Sequence, residues 1–143
     1  MRIFTIGYEG ATQADFIAAL RDAGVKRVID VRAVPLSRKP GFSKTVLAAG
    51  LKEAGIDYVH LKPLGTPPAG REAARKGDRA GLESVYAGQL EQPDAIVAAA
   101  RMIELAGEAP SALLCFERDP AACHRSLLLA AVAPDAEVVD LYA

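Results

Sequence analysis

Tryptophan is absent, aromatic residues make up only 6% of the chain, and 143 residues hold just two cysteines and two histidines. Two cysteines eight positions apart are too few for the disulfide framework of a small secreted domain. The N-terminal residues begin a strand and not an apolar signal region, so cytoplasmic residence is the default expectation. Long hydrophobic runs are missing as well. Leu127 to Ala133, the longest near the C-terminal end, falls far short of the roughly 20 residues that span a bilayer. Nor does one sign of charge prevail: 17 basic residues stand against 18 acidic ones, for a net charge of −1. Nothing global therefore draws the chain to nucleic acid or a membrane. There is no Walker-type Gly-Lys-Ser, and Gly7 and Gly10 lack the dinucleotide-binding spacing, so no motif signals a nucleotide.

What the chain has is aliphatic side chains. The hydrophobic fraction of 51% is carried mainly by Ala, Leu and Val, which suits helices packed on a sheet. A chain of this length buries about 68–70% of its unfolded surface and needs no cofactor or disulfide as a staple. Ile3 to Ile6, Arg27 to Val31, Tyr58 to Leu61, Ala112 to Phe116 and Glu137 to Leu141 are short apolar or β-branched runs bounded by Gly, Pro or charge, and they predict five strands. Between the first two, Thr12 with Asp15 approximates a capping box, Phe16, Ile17 and Leu20 follow, and Gly24 is a stop signal. The second crossover repeats the pattern, with Ser43 as cap and Gly55 as terminator.

This alternation predicts a single α/β domain over residues 1–143, with a mostly parallel five-stranded sheet and helices on both faces. The crossover between strands 3 and 4 is elaborated. It holds a loop from Gly65 to Gly81, a helix near Leu82 to Leu90 and another near Asp94 to Leu105. The loop carries four basic residues, two acidic residues and four glycines with almost no apolar anchor, the mark of a surface excursion or a functional segment.

Candidate chemistry gathers at Leu113 to Arg125, which holds both cysteines, His124, Glu117, Asp119 and Arg125 after an apolar run. In open parallel sheets ligands bind beyond the carboxyl ends of the strands where the strand order reverses. With the first strand central, that reversal falls between strands 1 and 4. It brings together Gly7-Tyr8-Glu9-Gly10, Asp30-Val31-Arg32 and Glu117-Arg118-Asp119-Pro120. Arg32 and Arg125 near a helix N-terminus suit an anionic group; a structural network of Arg32 with Glu117 or Asp119 is the competing reading.

Glu117 is the acid–base candidate, its pKa open to a rise by burial or a fall beside Arg32. Asp119 before Pro120 reads as a helix cap, and Asp30 is placed to hold Arg32 or a ligand hydroxyl. Cys115, inside an apolar strand, reads as a buried inert thiol. Cys123, in the first turn of a helix beside His124 and Arg125, is a candidate thiolate. A cysteine phosphatase or sulfurtransferase loop is disfavoured, because position 121 is Ala where the closing Arg would stand. Cys115, Cys123, His124 and His60 are zinc-type ligands, but Cys-x7-Cys-His lacks the short paired spacing of structural zinc modules, and no metal or cofactor is assigned.

Thr5-Ile6-Gly7-Tyr8, Asp30-Val31-Arg32-x-x-Pro35-x-Ser37, Leu64-Gly65 and Cys115-x-Glu117-x-x-Pro120-x-x-Cys123-His124-Arg125 together resemble domain-of-unknown-function family 488 (DUF488), from Ile3 to about Val132. Thr66 departs from the pattern, which has a second glycine there. The resemblance implies a compact bacterial or archaeal α/β domain and brings no reaction, substrate or cofactor.

These residues lead to one principal expectation: a small phosphorylated or nucleotide-type anion held by Gly7, Tyr8, Asp30, Arg32, Ser37 and Arg125, with acid–base or hydrolytic chemistry from Glu117, Cys123 and His124. Two alternatives stay open. One is a non-catalytic module that binds a ligand, or nucleic acid through Lys26 to Lys44, where six basic residues face the single acid Asp30, and through Arg71 to Arg79. The other is an interaction scaffold in which Cys-His-Arg locks the last helix to the sheet. The sequence leaves the oligomeric state open.

Overall fold

The computed structural model describes residues 1–143. Its five strands are β1 (Arg2–Gly7), β2 (Arg27–Asp30), β3 (Asp57–His60), β4 (Ser111–Cys115) and β5 (Glu137–Tyr142). Six α-helices connect them: α1 (Gln13–Asp22), α2 (Lys44–Glu53), α3 (Pro68–Arg75), α4 (Arg79–Leu90), α5 (Pro93–Glu108) and α6 (His124–Val132). The strands form one sheet in the order β3-β2-β4-β1-β5, and every pairing is parallel. The centre of the sheet is β4 and not β1. A late strand of wholly buried Ser-Ala-Leu-Leu-Cys takes the position exposed to least water.

Side chains alternate across the strands and build two cores. Ile3, Ile29 and Leu113 face α4, α5 and α6, meeting Tyr86, Met102, Leu105 and Leu128. Phe4, Ile6, Val28, Ala112 and Leu114 face α1 and α2, meeting Phe16, Leu20, Leu47 and Leu51. Because β1 feeds a helix on one face while β4 feeds a helix on the other, the order reverses between these two adjacent strands, and their following loops part. No helix is long and apolar enough to cross a membrane.

Local signals act as expected in α1, where Thr12 Oγ1 accepts the Asp15 N–H at 3.1 Å and Gly24 takes φ +77° after the helix. Ser43 occupies the cap position of α2 but does not cap. Its hydroxyl accepts the Ser37 N–H at 3.0 Å and donates to the Ser37 carbonyl at 3.2 Å, closing the preceding loop on itself.

The expected loop from Gly65 to Gly81 contains a helix. α3 begins at Pro68, where a missing N–H costs nothing, and buries only Gly70 and Ala73, with Gly70 against the Thr66 methyl and Val85. Such small contacts leave no large apolar residue for periodicity to register. Asp119 caps a 3₁₀ turn at Pro120–Ala122, accepting the Ala121 N–H at 2.9 Å, and does not cap α6. That helix starts at His124, with Cys123 as its N-cap and outside its first turn.

At the mouth of the sheet, Gly7 pairs in register with Cys115, and the ladder continues beyond the strands through Tyr8 N to Cys115 O at 3.4 Å and Glu9 N to Phe116 O at 2.8 Å. A Cβ on Gly7 would enter the Glu117 carbonyl. The obstacle is backbone in a central ladder, so G7A is expected to lower stability by at least the roughly 1–3 kcal/mol of an overpacked core. Urea denaturation of G7A and wild type is the check, and an unchanged midpoint would show that the two loops are not locked at this distance.

Candidate functional site

Beyond the carboxyl ends of β1, β2 and β4 lies a cavity of about 250 Å³. Its walls are Tyr8 after β1, Arg32 to Val34 after β2, Thr66 with Arg71, Ala74 and Arg75 around α3, Leu82 on α4, Cys115, Phe116 and Glu117 after β4, and His124 on α6. The loops expected to meet at the reversal do contribute to it. Of the residues singled out from sequence, Tyr8, Arg32, Glu117 and His124 line it, whereas Gly7, Asp30, Ser37, Cys123 and Arg125 are not among its lining residues.

Arg32 is held by Asp30. The Asp30 carboxylate is fully buried and accepts from Arg32 Nε at 2.9 and 3.1 Å, from Nη2 at 2.8 Å and from the Arg32 backbone N–H at 3.0 Å. Tyr58 Oη adds a short hydrogen bond to the same carboxylate. Arg32 Nη1 donates to the Phe42 carbonyl at 2.7 Å, and the guanidinium lies 5.3 Å from the Tyr8 ring centroid. The partner of Arg32 is therefore Asp30, and neither Glu117 nor Asp119 takes that place. Burial works against the Arg32 charge, and the Asp30 carboxylate more than offsets it, so the guanidinium titrates above its ordinary value.

Arg125, another residue in the expected anion site, is fully buried and faces inward. Its Nη1 lies 2.9 Å from Cys115 Sγ and donates to the Glu117 carbonyl at 2.6 Å, while Nη2 donates to the Arg118 carbonyl at 3.1 Å. The guanidinium thus shapes the loop after β4 through its backbone. Ser37 is used locally, its hydroxyl accepting the Lys39 N–H at 3.0 Å.

Glu117 is half-buried, and burial pushes its pKa above the ordinary carboxyl value, with the Arg125 charge partly opposing the rise. Cys115 and Cys123 are joined in a disulfide, so in this state neither the inert thiol expected at Cys115 nor the thiolate expected at Cys123 exists. His124 is buried, its Nε2 2.7 Å from the Val31 carbonyl and its ring edge-on to Tyr86 at 5.1 Å. Burial lowers its pKa to about 4, against the opposing pull of the Val31 carbonyl, leaving a neutral imidazole near pH 7. His60 is engaged elsewhere, its Nε2 2.7 Å from the Arg32 carbonyl.

Sequence reasoning missed Arg71 and Arg75 as wall residues because their helix was read as a loop. The available signal was Pro67-Pro68 followed by Ala, Arg and Glu, a proline start followed by good helix formers. Arg71 donates to the Thr66 carbonyl at 2.8 Å, and Arg75 is exposed and enters no ion pair. Arg79, in the same basic stretch, is occupied internally: Nη1 donates to the Ala121 carbonyl at 2.6 Å and the Cys123 carbonyl at 3.3 Å.

The buried carboxylate sets two expectations. Replacing Arg32 by Ala leaves Asp30 buried without its counter-charge, so R32A is expected to lose about 3–5 kcal/mol of stability, measured by chemical denaturation. A loss below 1 kcal/mol would show that Asp30 does not need Arg32. Burial and, for Tyr58, the Asp30 hydrogen bond raise the pKa of Tyr58 and Tyr86 above the ordinary value. An unfolded tyrosine ionises near pH 10, so the stability held by these neutral phenols is intact below about pH 10 and is lost as pH rises beyond it. Ultraviolet titration should find Tyr58 and Tyr86 resisting ionisation until the fold opens; ionisation of both at the ordinary value in folded protein would contradict this.

A comparison with curated proteins and one with solved structures each returned no match. A family model, "Domain of unknown function DUF488", matches residues 12–132, which include the ends of β2 and β4, all of α3 and the Cys123-His124-Arg125 start of α6. With most of its length matched, the chain belongs to the DUF488 family.

Proposed function

We propose that the domain binds a small organic anion, phosphorylated or nucleotide-type, in the cavity beyond β1, β2 and β4. The carrying observation is the charge on the walls: Arg32, Arg71 and Arg75 against the single carboxyl group of Glu117. Arg32 is fixed by Asp30 and contributes field, whereas Arg71 and Arg75 on α3 retain N–H groups for direct contact with phosphate oxygens. Tyr8 and Phe116, edge-on at 5.3 Å, supply an aromatic wall, and Phe116 is 46% exposed where a base or another planar group would lie. Glu117 is the wall group placed to exchange a proton with such a ligand.

Arg32→Ala is a poor test of binding because it strikes the fold. Thermal-shift screening of wild type against nucleotides, sugar phosphates and short oligonucleotides, followed by R71A and R75A, separates the two effects. A ligand at about 100 times its Kd adds roughly 2.7 kcal/mol, or about 5–10 °C in Tm for a chain of this size. The expected result is a small-anion hit whose affinity drops about tenfold to a hundredfold in each variant, with the unliganded Tm unchanged in R75A and lowered by no more than a few degrees in R71A, which loses the Thr66 hydrogen bond. E117Q should keep the shift and abolish any turnover of that ligand. Silence across the small anions, or a hit indifferent to both arginines, would overturn the proposal. Binding only to oligonucleotides, with affinity falling steeply in salt, would favour the nucleic-acid reading instead.

A further inference from the structure

We infer that Cys115, Cys123 and His124, once the disulfide is reduced, form a binding site for a zinc-type divalent ion whose fourth coordination position opens to the cavity. Their ligand atoms all lie within 4.8 Å of one another on buried residues. Sequence spacing argued against such a site, because the cysteines are not a short pair on one knuckle. The fold supplies the proximity that spacing lacks: Cys115 ends the central strand, Cys123 caps the following helix, and a 3₁₀ turn folds between them.

The imidazole is already oriented as a ligand. The Val31 carbonyl can only accept, so the 2.7 Å contact places the proton of the neutral ring on Nε2 and leaves the Nδ1 lone pair free. Nδ1 points towards Cys123 Sγ at 3.6 Å. Tetrahedral zinc, with bonds of about 2.3 Å to sulfur and 2.0–2.1 Å to nitrogen, separates two such ligands by about 3.6 Å. A backbone carbonyl holding the far nitrogen of a ligating histidine is also the usual outer support of a zinc site. The edge-on Tyr86 ring, itself anchored through its hydroxyl to the Leu64 carbonyl at 2.7 Å, packs against the His124 ring.

The sulfurs have donors in place. Arg125 Nη1 lies 2.9 Å from Cys115 Sγ, and the Arg125 backbone N–H lies 3.4 Å from Cys123 Sγ, so both thiolates would be stabilised by hydrogen bonds. Cys115 and His124 also line the cavity, with Glu117 Oε2 3.5 Å from Cys115 Sγ. The open fourth position therefore falls to water or to Glu117. Three protein ligands with one position left open distinguish catalytic zinc sites from closed structural ones.

The disulfide and the ion exclude each other, because a bonded pair of sulfurs offers no thiolate. A dithiol reductant supplies two electrons and two protons, breaks the S–S bond and leaves as its own cyclic disulfide. The two protein thiols then release their protons to solvent as the ion binds. This inference does not rest on the proposed anion binding, since Arg71 and Arg75 take no part in it.

The test is cobalt titration of full-length protein reduced with dithiothreitol, treated with chelator and exchanged into anaerobic buffer without ligand. One equivalent of Co²⁺ should produce thiolate-to-cobalt charge transfer and the visible bands of tetrahedral cobalt, and Zn²⁺ should displace it. H124A should weaken the affinity by more than about tenfold, and C115S or C123S should abolish the charge-transfer signature of a two-thiolate site. Protein reoxidised to the disulfide should show neither band. A readout that needs no variant runs alongside: Zn²⁺ should protect both reduced wild-type cysteines from alkylation, as read by intact mass. Reduced protein that binds no ion, or whose cysteines alkylate equally with and without Zn²⁺, would overturn the inference.

Discussion

A carboxylate with no exposure to water sits at the end of β2, and the crevice is organised around neutralising it. Leaving Asp30 unpaired in that position would cost several kcal/mol, so the chain surrounds it with the Arg32 guanidinium, the Arg32 backbone N–H and the Tyr58 hydroxyl. Each partner fixes a different segment. Arg32 turns back onto its own strand end and reaches the Phe42 carbonyl in the loop before α2, while Tyr58 ties in β3. Tyr8, stacked on Phe42 at 4.6 Å and set beneath the guanidinium, joins the loop after β1 to the same cluster. One buried charge thus ties together β3 and the loops after β1 and β2, the two loops that supply Tyr8 and Arg32 to the cavity wall.

Arg125 does comparable work on the other side through a different chemistry. It meets no carboxylate directly; its contacts are the carbonyls of Glu117 and Arg118 and the sulfur of Cys115. The loop after β4 is held by its main chain, which leaves the Glu117 side chain on the cavity wall. Arg79 holds the next stretch, at Ala121 and Cys123, from α4. Two of the arginines that mark this region in the sequence therefore act as internal struts, and the cations left on the rim belong to α3.

Where large side chains repeat, the fold was legible in the sequence. The alternating Ile3-Phe4 and Ala112-Leu113-Leu114 positions announced strands, and Thr12, Gly24 and Gly55 announced helix ends, because these depend on local sterics and hydrogen bonds. The part that was not legible rests on small or distant contacts. α3 docks through Gly70 and Ala73, which carry almost no periodic signal, and its absence from the sequence reading removed Arg71 and Arg75 from the site. The loops of the crevice followed from where strand order reverses, yet which arginine faces the cavity depends on partners far along the chain, such as Phe42 and Glu117. The nearness of Cys115, Cys123 and His124 is of the same kind, since it arises from a 3₁₀ turn folding back over the end of β4.

The proposed anion site is one that α3 and the strand ends form together. Its most direct measurement is a ¹⁵N NMR titration with inorganic pyrophosphate, following backbone amides and arginine Nε–H signals. Saturable shifts are expected to concentrate at Arg71, Arg75, Thr66, Ala33 and Tyr8, with the Arg125 Nε–H unmoved. Saturable shifts confined to residues outside the cavity, or no shift at α3 at any pyrophosphate concentration, would contradict it.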